Sequence, residues 1–204
     1  ARKDEIALFK REFLGNSTYA KSCTITNIDD VDLFYSKKSK TLTASCDKPI
    51  IIENKKLGYT ITYYLDQFKK APNELYFAGN YVFKENGEAI TTGQAKIKQN
   101  REDVYEGSRM QFIRALWHHT LKKNGFGIYT ASRGFLTEDS IVVSGPHGQK
   151  YIRLNAPIRV TYNNNASDVT ILEGKRKLSF IDKDGFYDLS LKWYGRLTAQ
   201  RIGD

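Results

Sequence analysis

The nitrogen and sulfur side chains that most often hold zinc are scarce in this chain of 204 residues, which has three histidines and two cysteines. His118 and His119 are adjacent in YEGSRMQFIRALWHHTLKKNG, residues 105–125. Zinc-binding helices set two histidines four residues apart so that both point at one ion, whereas adjacent ones diverge by about 100°. His118 also projects among Arg114 and Lys122, whose charges oppose a cation. His147 sits in SGPHGQ, a loop-like stretch, and no His or Cys spacing matches a metal site. The sequence therefore predicts no metal and no cofactor. Carboxylates are the remaining acid–base candidates: Glu53, Asp66 and Glu85 are among those that would have to converge in the fold to act as a hydrolytic pair. DKDG, 182–185, begins like a calcium loop, but Phe186 takes the next ligand position and no Glu follows at the twelfth, so it reads as a turn. Nucleophile elbows, P-loops and dinucleotide fingerprints are all missing, and no catalytic residue can be named.

Aromatic residues are the more abundant resource, with thirteen Tyr, eleven Phe and two Trp. Trp193, Tyr194, Tyr63 and Tyr64 are the candidate ligand-contact residues, since such rings offer flat, amphipathic surfaces. Rings also pack well on pleated surfaces, so the composition leans toward strands. A net charge of +9 raises the question of nucleic acid. The basic groups are scattered as Lys37/Lys38/Lys40, Lys55/Lys56, Lys69/Lys70, Lys122/Lys123 and Lys175/Arg176/Lys177, with no single stripe. Such clusters suit solvated turns, and no specific nucleic-acid partner is expected. No apolar run reaches the ~18 residues a membrane helix needs, so no transmembrane segment is expected in this chain.

The elements that would position these residues follow from periodicity. KDEIALFKREFLG places Ile6, Phe9 and Phe13 on one side of a short N-terminal helix, with acids early, bases late and a glycine after it. SCTITN, LFYS, TLTASC and PIIIENK are strand candidates, and LGYTITYYLDQF alternates Tyr59, Ile61, Tyr63 and Leu65 against Thr60, Thr62 and Tyr64. ELYFAGNYVFKENGEAI continues the strand pattern, so the first hundred residues read as one helix followed by antiparallel sheet. FGIYTAS, DSIVVSG, KYIRLNAPIRVTYN, VTILEG, KLSFI and FYDLSLKWY are further strands, the last two forming a hairpin around DKDG. NNNAS, 163–167, is the most loop-like segment.

On a helical wheel, Phe112, Leu116, Thr120, Ile113, Trp117, Met110 and Leu121 form one broad arc, opposite Arg114, His118, Gln111, Lys122 and Ala115. This predicts an amphipathic helix over about 108–123, capped by Ser108, with Lys122 and Lys123 in its last turn and Gly125 as its left-handed exit. Its arc suits packing on a sheet. The prediction is an α+β fold, mainly antiparallel sheet, with a short N-terminal helix and this longer one. No linker divides the chain, so a single β-rich domain over 1–204, excised from a longer chain, is expected. Cys23 and Cys46 are in phase with core residues, and a buried thiol pair and a disulfide are equally compatible with their positions.

Several motifs together resemble a known family: FLGNS (13–17), CTITN (23–27), PIIIENKKLGY (49–59) with YYLDQF (63–68), and YEGS followed by FIRAL (112–116). They are similar to a conserved block of Bacteroidetes cell-envelope proteins labelled carboxypeptidase-like regulatory domain-containing proteins. The resemblance spans roughly residues 8–130, and RLTAQRIGD looks like the family's C-terminal region cut short. In such proteins a small β-sandwich precedes the block and supplies the label, so no peptidase activity is implied here. The resemblance carries over no catalytic residue or ligand. It implies a periplasmic or outer-membrane-associated location. The expected function is a non-enzymatic interaction or ligand-binding module of a cell-envelope protein, binding a protein or a glycan-like ligand. The alternative is a hydrolase acting on an envelope polymer or glycan.

Overall fold

The computed structural model describes residues 2–132, 134–171, 177–188 and 190–195, with the backbone alone at 87–92 and 195. The chain divides between Asp103 and Val104 into two compact units, where the sequence predicted one domain. Among the described residues every strand pairing within each unit is antiparallel. The α+β class, dominated by antiparallel sheet, is as expected.

The first unit opens with helix α1 (Arg2–Leu14), whose Asp4, Glu5 and Arg11 complement the helix dipole. Six strands follow: β1 (Cys23–Ile25), β2 (Asp32–Ser36), β3 (Thr41–Ser45), β4 (Ile50–Asn54), β5 (Tyr59–Ala71) and β6 (Glu74–Glu85). They form one sheet in the order β1-β4-β5-β3-β2, with β6 along the other side of β5. β5 is long enough to hold β4 against Tyr59–Tyr63 and β3 against residues 68–70 on one side while β6 follows it throughout on the other. Helix α1 lays its apolar stripe against this sheet. Phe9 and Phe13 stack 5.0 Å apart, and meet Phe68 and Tyr63 edge-on at 4.9 and 5.0 Å, with Phe77 5.5 Å from Phe13. Such ring pairs contribute about 0.5–1.5 kcal/mol each beyond the area they bury.

Helix α2 (Gly87–Tyr105) corrects the prediction of continuous sheet over the first hundred residues. It is two helical stretches that meet in a kink at Gly93, whose φ −136° and ψ 18° are non-helical, and its contacts are partly polar, so no single apolar stripe runs along it. Asn100, buried, donates from Nδ2 to the Lys56 carbonyl at 2.8 Å, and Arg101 Nε donates to the Leu57 carbonyl at 2.8 Å. Ile97 completes that i, i+3, i+4 face.

The second unit is built around helix α3 (Arg109–Trp117). Ser108 caps it as predicted, its hydroxyl accepting the Gln111 N–H at 3.1 Å, while Gln111 Oε1 reaches back to the Gly107 N–H at 2.7 Å. This is a variant of the capping box, in which the Gln reaches the N–H one residue before the cap while the Ser108 N–H donates to the Tyr105 carbonyl at 3.1 Å. Gly107 sits at φ +72°, and a Cβ there would lie 2.5 Å from Tyr162 Cδ1, so both conformation and space demand glycine. The strands are β7 (Phe126–Thr130), β8 (Gly134–Leu136), β9 (Val142–Ser144), β10 (Lys150–Arg153), β11 (Ile158–Tyr162), β12 (Asn165–Ile171), β13 (Leu178–Ile181) and β14 (Leu191–Gly195). They make a three-stranded sheet, β13-β10-β9, and a five-stranded one, β14-β12-β11-β7-β8. Phe112, Ile113 and Leu116 share one core with Phe126, Ile128, Ile152, Val160, Val169, Ile181 and Leu191 from both sheets.

Several predicted boundaries shift here. Gln111 and Ala115 are buried and Met110 is 47% exposed, so the buried arc of α3 is rotated from the predicted one by about one position. The helix ends at Trp117, short of residue 123. Its exit is His119, at φ +54°, rather than Gly125. The His119 N–H reaches the Leu116 carbonyl at 3.3 Å and the Thr120 N–H the Ala115 carbonyl at 2.8 Å, the paired bonds of a Schellman motif. Lys122 and Lys123 therefore lie beyond the helix. The cation at its C-terminus is Lys150 of β10, whose Nζ donates to the Trp117 carbonyl at 2.6 Å. Asn163 and Asn164 form a two-residue turn, with Tyr162 paired to Asn165, so the loop-like NNNAS is mostly strand. The hairpin predicted around DKDG shrinks to a single bridge, Ile181 to Tyr187, and β14 joins the other sheet. Asp188 supplies the missing ladder bonds: its carboxylate accepts the Phe180 N–H at 2.9 Å, the Ser190 N–H at 2.8 Å and the Ser179 and Ser190 hydroxyls.

A left-handed histidine at a helix exit is strained relative to glycine. His119→Gly is expected to stabilise the protein by about 1 kcal/mol, which raises Tm by roughly 2–4 °C for a chain of this size. The substitution removes the pair between His119 Nδ1 and Asp139 Oδ1, 3.2 Å apart, which is exposed and contributes little. Thermal unfolding of the variant checks this; an unchanged or lower Tm means that the exit carries no strain.

Candidate functional site

The β5–β6 hairpin presents the largest concentration of uncovered aromatic surface in the first unit. Its turn is Pro72-Asn73, and Asp66 forms a bulge, left unopposed between the pairs Leu65–Gly79 and Gln67–Ala78. At Gly79 the two strands approach so closely that a Cβ would stand 2.2 Å from the Tyr64 carbonyl oxygen and 2.6 Å from the Tyr63 ring. Register then decides which rings share a face. Tyr59, Ile61 and Tyr63 oppose Glu85, Phe83 and Tyr81 on one face; Thr60, Thr62 and Tyr64 oppose Lys84, Val82 and Asn80 on the other.

The core covers Ile61 and Tyr63 but leaves Tyr81 and Phe83 each 53% exposed, although they share that face. On the opposite face Val82 is 59% and Tyr64 50% exposed, and Tyr76 46%. The uncovered rings are held by one another: Tyr81 stacks on Tyr63 at 6.2 Å and meets Phe83 at 5.2 Å, and Phe83 meets Tyr59 at 5.8 Å. Among the described residues, β6 has no strand on its outer side. The other free edges of this sheet are guarded in ways that β6 is not. β1 has three residues, and β2 has five and runs into Lys37, Lys38 and Lys40. β6 has twelve residues, no proline, and no charge between Leu75 and Phe83.

Of the four aromatic residues singled out from the sequence, Tyr63 and Tyr64 belong to the first unit and Trp193 and Tyr194 to the second. Tyr63 is a core residue, 2% exposed, and burial, with Asp66 and Tyr81 nearby, pushes its hydroxyl pKa up to about 12. That leaves it no face for a ligand. Tyr64 is exposed on the hairpin. In the second unit, Tyr194 is exposed on β14, while Trp193 packs on Phe112 at 5.5 Å and Tyr187 at 6.0 Å, beneath Arg109 at 5.3 Å. Tyr76, Tyr81, Val82 and Phe83 are not among the residues that the sequence pointed to. Their signal was present: ELYFAGNYVFKE carries aromatics at both odd and even positions, and a core can accept only one parity.

Of the acid–base candidates, Glu53 and Glu85 lie on opposite faces of the sheet and do not converge, and Asp66 is the bulge residue of β5. Glu53 shares a face of the sheet with Thr60 and Lys84, whereas Glu85 shares the opposite face with Tyr59. Glu85 pairs with Arg101 at 2.9 Å, and that guanidinium also stacks over Tyr59 at 3.9 Å. Among the described residues, a cleft of ≈ 460 Å³ beside it is lined by one carboxylate, Glu85, and another of ≈ 500 Å³ in the second unit by Asp168, bound to Arg159 at 2.8 Å. His118 caps α3, His119 forms its exit and His147 lies in an exposed turn; among the described residues no three His, Cys, Asp or Glu side chains are grouped to hold a metal ion. No disulfide joins Cys23 and Cys46; their thiols donate to different carbonyls, those of Tyr19 and Asp30. Lys37, Lys38 and Lys40, Lys55 and Lys56, and Lys122 and Lys123 occupy separate turns, and Lys175 and Arg176 lie outside the described residues. Among the described residues no helix is long and apolar enough to cross a membrane.

Comparison with family models, curated proteins and solved structures finds no match to this chain.

Proposed function

We propose that the chain is a non-enzymatic interaction module of a bacterial cell-envelope protein, periplasmic or outer-membrane associated, and that it engages a protein through the β5–β6 hairpin. The supporting observation is the aromatic surface on both faces of an unguarded strand edge, at Tyr64, Tyr76, Tyr81, Val82 and Phe83. A protein fits this surface better than a glycan does. A strand edge offers a repeating row of N–H and C=O groups that another extended main chain matches, with side chains on each face adding specificity. The envelope location is supported by the sequence resemblance alone.

The test is photo-crosslinking in a bacterial envelope, with p-benzoylphenylalanine placed at position 82 and, as control, at position 186, which is 58% exposed in the second unit. Position 82 is expected to give a discrete protein adduct and position 186 none. Absence of a protein adduct at position 82, or release of fragments from isolated envelope polymer by the purified chain, overturns the proposal.

A further inference from the structure

The edge of β6 is complementary to itself, and we propose that its partner is a second copy of this chain, paired β6 to β6 in antiparallel fashion about a two-fold axis at Gly79. This rests on the hairpin being the working surface and names what covers it. An isologous contact brings the same strand of each copy together, so symmetry limits the registers. The two-fold axis must run perpendicular to the sheet. Each face then continues into the same face of the second copy, and odd-numbered residues oppose odd-numbered ones.

Charge selects among the registers that remain. Centred on Asn80, the pairing sets Tyr76 against Lys84 and Leu75 against Glu85. Centred on Ala78, it carries Lys84 past the end of the strand to Pro72. Centred on Gly79, Glu74 of each copy opposes Lys84 of the other, one such pair at each end of the joined strands. Glu74 is 59% exposed and already accepts from Lys69 at 3.0 Å, which leaves acceptor sites for a second cation. Lys84 is exposed and has no ion pair among the described residues. Between the charged ends, Leu75 opposes Phe83 and Phe77 opposes Tyr81 on the face that carries the core, while Tyr76 opposes Val82 on the other. Each of these pairs occurs twice. The uncovered residues Tyr81, Phe83, Val82 and Tyr76 all gain an apolar neighbour, as directly opposed cross-strand residues do. Gly79, which has no side chain, lies on the axis, and the two sheets become one of twelve strands, six from each copy.

Sedimentation of the purified chain from about 1 to about 100 µM tests the pairing, a range suited to contacts of moderate affinity. The expected result is a concentration-dependent species of twice the 23.4 kDa chain mass. Lys84→Glu places like charges at both ends and should weaken association by at least about tenfold, as should Glu74→Lys; the double variant E74K/K84E reverses both pairs and should restore it. Circular dichroism confirms that the variants fold. A wild-type chain that stays monomeric, a dimer indifferent to Lys84→Glu, or a double variant as weak as the single ones overturns the proposal. A monomer that still yields a position-82 adduct to another protein removes self-pairing and leaves the module reading; a monomer without an adduct removes both.

Discussion

Leu116→Asp is expected to abolish the fold of the second unit. Leu116 is fully buried in a core drawn from α3, β7, β10, β11, β12, β13 and β14, so no rotation of a side chain can return the carboxylate to water. Loss of the leucine alone costs about 2–5 kcal/mol, and an unpaired buried charge adds several more. The total approaches or exceeds the roughly 5–15 kcal/mol by which a domain is stable. Both tryptophans of the chain, Trp117 and Trp193, belong to this unit and pack against its core, so their emission reports on it alone. The expected emission is that of water-exposed indole at 25 °C. A variant that keeps wild-type emission and melts within about a degree of wild type, well inside the shift that 1 kcal/mol produces, shows that α3 does not pack as described.

Phe13→Ala should be the corresponding lesion of the first unit. Its ring touches four others, those of Phe9, Tyr63, Phe68 and Phe77, and it is fully buried. Truncation leaves a cavity between α1 and the sheet that neither can fill by a small shift. A loss of about 3–5 kcal/mol is expected from the removed area and the cavity together. Denaturant unfolding followed by far-ultraviolet circular dichroism measures it, and amide exchange along β5 locates it. A loss under about 1 kcal/mol would mean that α1 is peripheral to this core.

These two residues were also among the most legible in the sequence. Phe9 and Phe13 fall one turn apart in a stretch with acids before and bases after, and Leu116 lies one turn from Phe112 behind a Ser-x-x-Gln cap. Period and cap chemistry are local, so one sequence suffices to read them. What could not be read depends on partners distant in the chain. α2 was hidden because the face that holds it to the 54–58 turn is Ile97, Asn100 and Arg101, and no apolar stripe announces a helix bound through backbone carbonyls. The end of α3 was misplaced because Gly125 is the ordinary left-handed exit and His119 is not. The division into two units falls between Asp103 and Val104, inside α2, where there is no Pro, Gly or Ser run to mark it. Alternation along β5 correctly put Tyr63 in phase with Ile61. It could not reveal that the core stops short of Tyr81 and Phe83, because coverage depends on how far α1 extends over the sheet.

The most direct measurement is amide exchange along β6 in the purified chain as its concentration is raised. In an edge strand, alternate N–H groups point to the neighbouring strand and the rest point outward. If β6 is where this chain meets its partner copy, the outward-facing amides between Leu75 and Phe83 exchange quickly in dilute solution and become protected as concentration rises. Those bonded to β5 stay protected throughout, and the edges of β1 and β2 do not change. Exchange along β6 that is independent of concentration, or protection that arises at β1 or β2 instead, would contradict the account.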